Sequence, residues 1–236
     1  VKRLTVTTAV RYVSRTMTNK KSAIPPSVIR RLTKYLTYVQ SLRADGQEWV
    51  SSSELAETLG LTSSTVRQDL SHLAFSGISK RGYQTEGLQR TLAEVLGADT
   101  TWNMVVVGAG NLGRALALHE DFQRRGFVIC GIFDRDPEKV GQKVGRHRVQ
   151  HIRKLPAFVG DAEIDIGIIT VPSEAAQSVA DLLIASGIKG LLNLALTHII
   201  APRAVAVVDS RVVASVLELA HSIKYSAAAK PVRVNR

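Results

Sequence analysis

The apolar residues of this chain change their spacing near Ala98, and the change divides the sequence into two differently patterned parts. Up to that point the period is helical. In "SVIRRLTKYLTYVQSLRADG", Val28, Ile29, Leu32, Tyr35, Leu36, Val39 and Leu42 fall on one stripe, and Gly46 stops the helix. "SSSELAETLG" follows, with Ser51 and Glu54 at capping-box spacing, Leu55 and Leu59 as an apolar pair and Gly60 as a C-cap. "TSSTVRQDLSHLAFSG" opens a second short helix, capped by Thr62 or Ser63. Val66, Leu70 and Leu73 fall on its inner face, and Ser63, Ser64, Arg67, Gln68 and Ser71 fall outward. "GISKRGYQT" suits a β-wing, and "GLQRTLAEVLG" adds one more amphipathic helix through Leu88, Leu92, Val95 and Leu96.

Beyond Ala98, short apolar runs alternate with helical stripes. The strand candidates are "WNMVVV", "FVICGIFD", "EIDIGIITVP", "IKGLLNLA" and "AVAVVDS". "RALALHEDF" and "SEAAQSVADLLIASG", the latter capped by Gly187, read as helices between them. Strands with so few polar residues, alternating with helices, predict a parallel doubly wound sheet of the Rossmann kind. Last comes "RVVASVLELAHSIKY", where Val212, Val213, Val216, Leu217, Ala220 and Ile223 form a broad apolar face. Periodicity leaves two readings of that face open: packing on its own sheet, or pairing with a second copy.

Composition narrows the function. A chain of 236 residues, 45% hydrophobic and 22% charged, is that of a soluble globular protein with one large or two modest domains. The single Cys130 excludes an internal disulfide framework and fits a reducing compartment. No apolar run reaches the roughly 18 residues of a membrane span, and no apolar stretch follows the N-terminal charges, so a cytoplasmic location without membrane contact is expected. Net charge is +11, and Val1 to Ala44 holds ten Lys/Arg and no acid. A one-sided charge of this size beside a helical module predicts a polyanionic partner.

Two short helices joined by a tight turn, the second showing small polar and Arg/Gln side chains, form a helix-turn-helix pattern. Arg67 and Gln68 are placed to reach base edges of double-stranded DNA, with Ser63, Ser64, Thr65, Ser71 and His72 around them and Lys80 and Arg81 on the wing. In the second part, "GAGNLG" supplies Gly108, Ala109, Gly110, Asn111, Leu112 and Gly113 between a strand and a helix, the dinucleotide fingerprint in its proper context. Asp134 ends the next strand 21 residues beyond Gly113, where an acid accepts from ribose hydroxyls and favours NAD(H) over NADP(H). Arg135 and Lys139 stand beside it. Ligands bind beyond the carboxyl ends of such strands, which nominates Thr170, Val171, Pro172 and Asn193.

An NAD(H)-dependent oxidoreductase is the rival expectation, and the sequence offers it little. His119, His198 and His221 are isolated, Cys130 lies inside a strand, and no Cys/His cluster has metal-ligand spacing. Neither catalytic nor metal residues are assigned. The part before the fingerprint reads as a DNA module, which leaves no evident substrate domain.

The residues from about Ile24 to Tyr225 resemble the redox-sensing transcriptional repressors called Rex. The resemblance is carried by "VSSSELAETLGLTSSTVRQDLSHL", "VVVGAGNLGRAL", "GIFDRDPEKVG" and "TVPSEAAQSVADLLIASGIKGLLNLA", in that order. It implies a homodimer whose last helix is exchanged between subunits, which binds palindromic operators and releases them when NADH binds. NAD(H) is then a sensed ligand and not a reactant. The second part also resembles CoA-binding domains, which keeps another adenine nucleotide open. The expected division is a basic mobile arm at 1–23, read from its polar, basic and aperiodic sequence, a winged-helix DNA-binding domain at 24–98, a Rossmann-like NAD(H)-binding domain at 99–208, a dimerisation helix at 209–225 and a basic tail at 226–236.

Several positions depart from the family pattern. "DLSHLA" stands where the family has "DFSYFG", "SKRGY" stands for "RGVGY", and Gln68 replaces a basic residue. His119 stands where many members carry Tyr, and Arg211 where they carry Asp. In the family those two couple ligand state to dimer geometry, so the coupling contact is expected to differ here.

Overall fold

The computed structural model describes residues 24–226, and the chain divides into two compact units between Leu96 and Gly97. The arm expected over 1–23 and the tail beyond Ser226 lie outside the described residues.

In the first unit, α1 (Pro26–Ala44) begins with prolines, whose missing N–H costs nothing in a first turn. Its buried residues are the anticipated stripe, Val28, Leu32, Tyr35, Leu36, Val39 and Leu42, with Ile29 half-buried at its margin. Then come β1 (Trp49–Val50), α2 (Ser52–Leu59), α3 (Ser63–Leu70), β2 (Tyr83–Gln84) and α4 (Thr85–Leu96). Leu88 and Leu92 of α4 are fully buried, and α4 packs along α1. The Ser51 hydroxyl caps α2 by accepting from the Glu54 amide at 3.0 Å. Glu54 does not return the bond, because its carboxylate accepts from Gln47 at 2.8 Å. Gly60 ends α2 in the left-handed region, and Thr62, not Ser63, caps α3 by accepting from Thr65. β1 and β2 form an antiparallel ribbon that pattern reading had not separated from the wing.

One polar cluster holds α3 against α1. Asp69 is 2% exposed and accepts from Arg31 Nε at 2.6 Å, from Arg31 Nη2 at 2.7 Å and from the Tyr35 hydroxyl at 2.7 Å. Burial works against its charge, but the Arg31 guanidinium and the Tyr35 phenol outweigh it and hold the carboxyl below the usual carboxylate range. Burial, with Asp69 beside it, pushes the Tyr35 phenol up.

The second unit contains β3 (Trp102–Val107), α5 (Asn111–Leu118), α6 (Glu120–Arg124), β4 (Phe127–Asp134), β5 (Lys143–Val144), β6 (His147–His151), a 3₁₀ turn at Ile152–Lys154, α7 (Leu155–Asp161), β7 (Ile166–Ile169), α8 (Ser173–Ala185), β8 (Gly190–Asn193), β9 (Ala206–Asp209) and α9 (Val212–Ser226). The sheet order is β5-β6-β4-β3-β7-β8-β9, parallel throughout except for β5 at one edge. The sheet is therefore mixed, not wholly parallel. Alternate residues of β3 feed two cores. Val105 and Val107 join Phe133, Ile169 and Leu183 on one face, while Met104 and Val106 join Ile132, Val149 and Ile168 on the other. Burial on both faces is why the strands read as unbroken apolar runs.

Two details depart from the sequence reading, and one question that it left open is narrowed. The helix expected to run through "RALALHEDF" breaks at His119, whose extended backbone (φ −79°, ψ 107°) separates α5 from α6. The β5, β6 and α7 elements had not been anticipated. And α9 does not pack on its own sheet: each residue from Val212 to Tyr225 is exposed, with Val212, Leu217 and Ile223 at 77%, 65% and 64%.

Removing Asp69 by Asp69→Ala should lower the stability of the first unit by on the order of 3 kcal/mol, the cost of stripping one partner from a buried ion pair. Because the folded carboxyl titrates below its unfolded value of about 3.9, its contribution is complete above about pH 4 and lost as pH falls further. Denaturant unfolding across pH checks both points: the wild type should lose stability on acidification more steeply than Asp69→Ala.

Candidate nucleotide pocket and nucleic-acid interface

At the carboxyl ends of β3, β4, β7 and β8 lies a cavity of about 800 Å³, lined by the glycine turn, by Asp134 to Pro137 with Lys139, by Thr170 to Ser173 and by Leu194 to Leu196. Gly108 sits at φ +110°, where L side chains are strained, and a Cβ there would meet the Thr170 carbonyl oxygen at 2.6 Å. The Thr170 hydroxyl lies 3.0 Å from the Val107 carbonyl and 2.8 Å from that of Gly108, so this side chain braces the turn. A Cβ on Gly113 would collide with the Gly108 carbonyl oxygen; α5 packs that closely on the turn. Gly110 is different. A Cβ there would meet nothing within 4 Å, and it N-caps α5 with no side-chain cap bond. The first-turn amides of α5 are therefore uncapped at the cavity, with the positive end of the helix dipole behind them.

Asp134 is 8% exposed, and both of its carboxylate oxygens are engaged. Oδ2 accepts from the Ala109 amide at 2.7 Å and faces Lys139 Nζ at 3.4 Å, and Oδ1 accepts from the Asp136 amide at 2.9 Å. Burial opposes the charge, but the two amides and the Lys139 ammonium hold the carboxyl below the usual range. Asp134 lines the cavity and also clamps the glycine turn to the end of β4. Lys139 also bridges to Asp136 at 3.3 Å, and Arg135 is exposed at the rim.

The placement of Asn193 corrects the sequence reading. It is completely buried and does not line the cavity. Its amide donates to the Thr197 carbonyl and to Asp209 Oδ1, both at 2.7 Å, and its oxygen accepts from Ala195 at 3.0 Å. It shapes the loop whose Leu194, Ala195 and Leu196 form the wall. Val171 and Pro172 line the cavity as expected, and so does Leu112, while Ala109 and Gly113 are buried beneath the turn and Asn111 is exposed at the helix start. The apolar wall of Ile152, Val179 and Leu194 was missed. Ile152 follows β6, a strand not anticipated; Leu194 was within reach of the strand-end rule that nominated its neighbour.

In the first unit, Ser64, Arg67 and Gln68 are exposed on α3 and Ser71 at its C-cap, with Ser63, Thr65 and His72 half-buried. Arg67 Nη1 donates to the Ser52 hydroxyl at 3.2 Å. Arg67 and Lys80 line one cleft with Ser51, Ser52 and Tyr83. Lys80 and Arg81 are exposed on a wing closed by Ile78 and Gly82, which exchange backbone bonds of 2.7 and 2.9 Å. Among the described residues no helix is long and apolar enough to cross a membrane, and no His/Cys/Asp/Glu group could hold a metal ion. Cys130 is half-buried, and burial pushes its thiol up.

A winged helix-turn-helix unit followed by a dinucleotide-type sheet defines the class of nucleotide-responsive DNA-binding regulators. Residues 23–71 match the family described as "Putative DNA-binding protein N-terminus", and residues 99–197 match "CoA binding domain". A relative from Caldicellulosiruptor saccharolyticus, "Redox-sensing transcriptional repressor Rex", is 39% identical over 204 residues, covering 86% of this chain and 93% of its own. Two solved structures of a Rex-family repressor, RSP, are also similar, each with a TM-score of 0.81 and 34% identity. One, in complex with β-NADH, covers 89% of this chain and 98% of its own; the other, with β-NAD⁺ and operator DNA, covers 88% and 95%. The chain belongs to the Rex family of redox-sensing transcriptional repressors. That membership sets it among repressors and not among enzymes.

Gly108→Ala tests the turn. Ala at this φ carries a backbone cost of roughly 1–3 kcal/mol before any collision with Thr170. Calorimetry should record loss of NADH binding together with a lower melting temperature, while Gly110→Ala, with open space around it, should melt like the wild type.

Proposed function

We propose that the chain is a cytoplasmic homodimeric repressor that senses the NADH/NAD⁺ ratio, binding a palindromic operator and releasing it when NADH occupies the cavity. The observation that carries this is the uncapped first turn of α5, open on a large cavity, in one chain with an exposed recognition helix. The amides from Gly110 to Leu112 receive the pyrophosphate. The adenine ribose lies at the rim made by Asp134, Arg135, Asp136 and Lys139, and the nicotinamide lies toward Val171, Pro172 and the Leu194 loop. Arg67 and Gln68 reach base edges, while Ser63, Ser64, Thr65, Ser71, His72, Lys80 and Arg81 meet backbone and flanks. The solved relative in complex with β-NADH, at 34% identity, supports NAD(H) as ligand.

The apolar face of α9 pairs with a second copy, because a stripe of Val212, Val216, Leu217 and Ile223 left in water marks an interaction surface. We read the arm at 1–23 and the tail at 226–236 as basic flanks of the domains at 24–98 and 99–208, with 209–225 as the dimer helix. NADH shifts the dimer toward an arrangement whose recognition helices no longer match adjacent major grooves. A coupling of roughly 1–3 kcal/mol suffices. With His119 and Arg211 in place of the family's Tyr and Asp, this chain couples the two states through other contacts. A second reading, CoA as the sensed nucleotide, is favoured by the match of residues 99–197 to CoA-binding domains.

Operator binding measured with NADH, NAD⁺ and CoA separates these readings. NADH alone should weaken binding by about five- to 150-fold; an effect of CoA alone would transfer the role to CoA, and indifference to all three would end the sensor reading. Arg67→Ala should cost about 1–3 kcal/mol on the operator and little on random duplex, as loss of a base contact requires.

A further inference from the structure

The wing carries an arrangement that none of the roles above requires. The Arg81 guanidinium carbon lies 3.9 Å from the centroid of the Trp49 ring. Trp49 belongs to β1 and is half-buried, whereas Arg81 is exposed. The two meet because the wing returns tightly onto β1. Gly82, at φ +93°, sits so close that a Cβ on it would collide with the Val50 carbonyl oxygen, and Tyr83 and Gln84 then pair with Val50 and Trp49. Lys80, at φ +63° without being glycine, turns the tip so that two successive basic residues stand at its end. Among the described residues Arg81 has no carboxylate partner, in contrast to Arg31, Arg43, Arg124, Lys139 and Lys189, each of which is paired with an acid.

Stacking occupies the face of a guanidinium and leaves its five N–H donors directed outward in the plane. An exposed arginine ordinarily loses rotamer freedom when it binds; one already resting on an indole has given up much of that freedom beforehand. A planar fork of donors fits two phosphate oxygens. From these facts we infer that Trp49 is a positioning residue that holds Arg81 as the wing's anchor on the DNA phosphate backbone. The inference rests on the DNA-binding reading above and adds the residue that prepares the wing for contact.

The test is duplex binding by the full chain across a salt series. Arg81→Gln removes an exposed side chain and should fold normally. It is expected to weaken binding several-fold on operator and random duplex alike, and to reduce the salt slope by about one, as loss of one phosphate contact requires. Trp49→Leu should reproduce most of that loss, Trp49→Phe should restore much of it by keeping an aromatic face, and Trp49→Leu should add little once Arg81→Gln is present. Melting temperatures accompany each variant, so that a loss caused by unfolding of the ribbon is seen as such and the Trp49→Phe result then decides. Full affinity in Trp49→Leu overturns the positioning role. A loss in Arg81→Gln confined to the operator with an unchanged salt slope overturns the phosphate role. Loss in Arg67→Ala with none in Arg81→Gln overturns this inference and leaves DNA binding standing, whereas a wild-type chain that binds no duplex defeats the reading beneath it.

Discussion

The second unit depends on one carboxylate and one backbone angle. Asp134 draws in the Ala109 amide while Gly108, at φ +110°, lies against the Thr170 carbonyl, so the turn between β3 and α5 is gripped from both neighbouring strands. With the turn held, α5 can start only where its first amides face the cavity. The sheet order places this at the switch point: from β3 the chain goes to β4 and β6 on one side, then crosses to β7, β8 and β9 on the other. A crevice at that reversal is where parallel sheets receive ligands. Gly110, with open space around it, is the place where ligand and backbone can meet.

Much of this was legible in the chain because the signals are local and periodic. The α1 stripe, the Ser51 and Thr62 caps, the Gly60 stop and the four central parallel strands depend on neighbours a few residues away. What escaped notice depends on distant partners. Asp69 lies in a helix of mostly polar residues, and nothing nearby announces Arg31 and Tyr35, 38 and 34 positions away. β6, "HRVQH", buries only Val149 well, so it shows no apolar run, and β5 is two residues long.

The site residues divide in the same way. Asp134 and Asn193 carry one signal, a polar side chain ending a buried strand, and that signal does not distinguish a group that touches ligand from one that ties down the loop beside it. Asn193 proved to be the second kind, with its polar atoms spent on Ala195, Thr197 and Asp209, and Asp134 is also a clamp. Likewise α9 has the periodicity of either a packed or a pairing helix. Only its exposure from Val212 to Tyr225 separates the two.

Linkage states the central claim in measurable form. If nucleotide and operator favour different arrangements of one dimer, each must weaken the other by the same factor. The most direct measurement is the affinity for NADH, by calorimetry, of free protein and of protein saturated with operator duplex. The account predicts weaker NADH binding on the operator, by the factor with which NADH weakens operator binding. Equal NADH affinity in the two states, with both ligands bound at once, would contradict it.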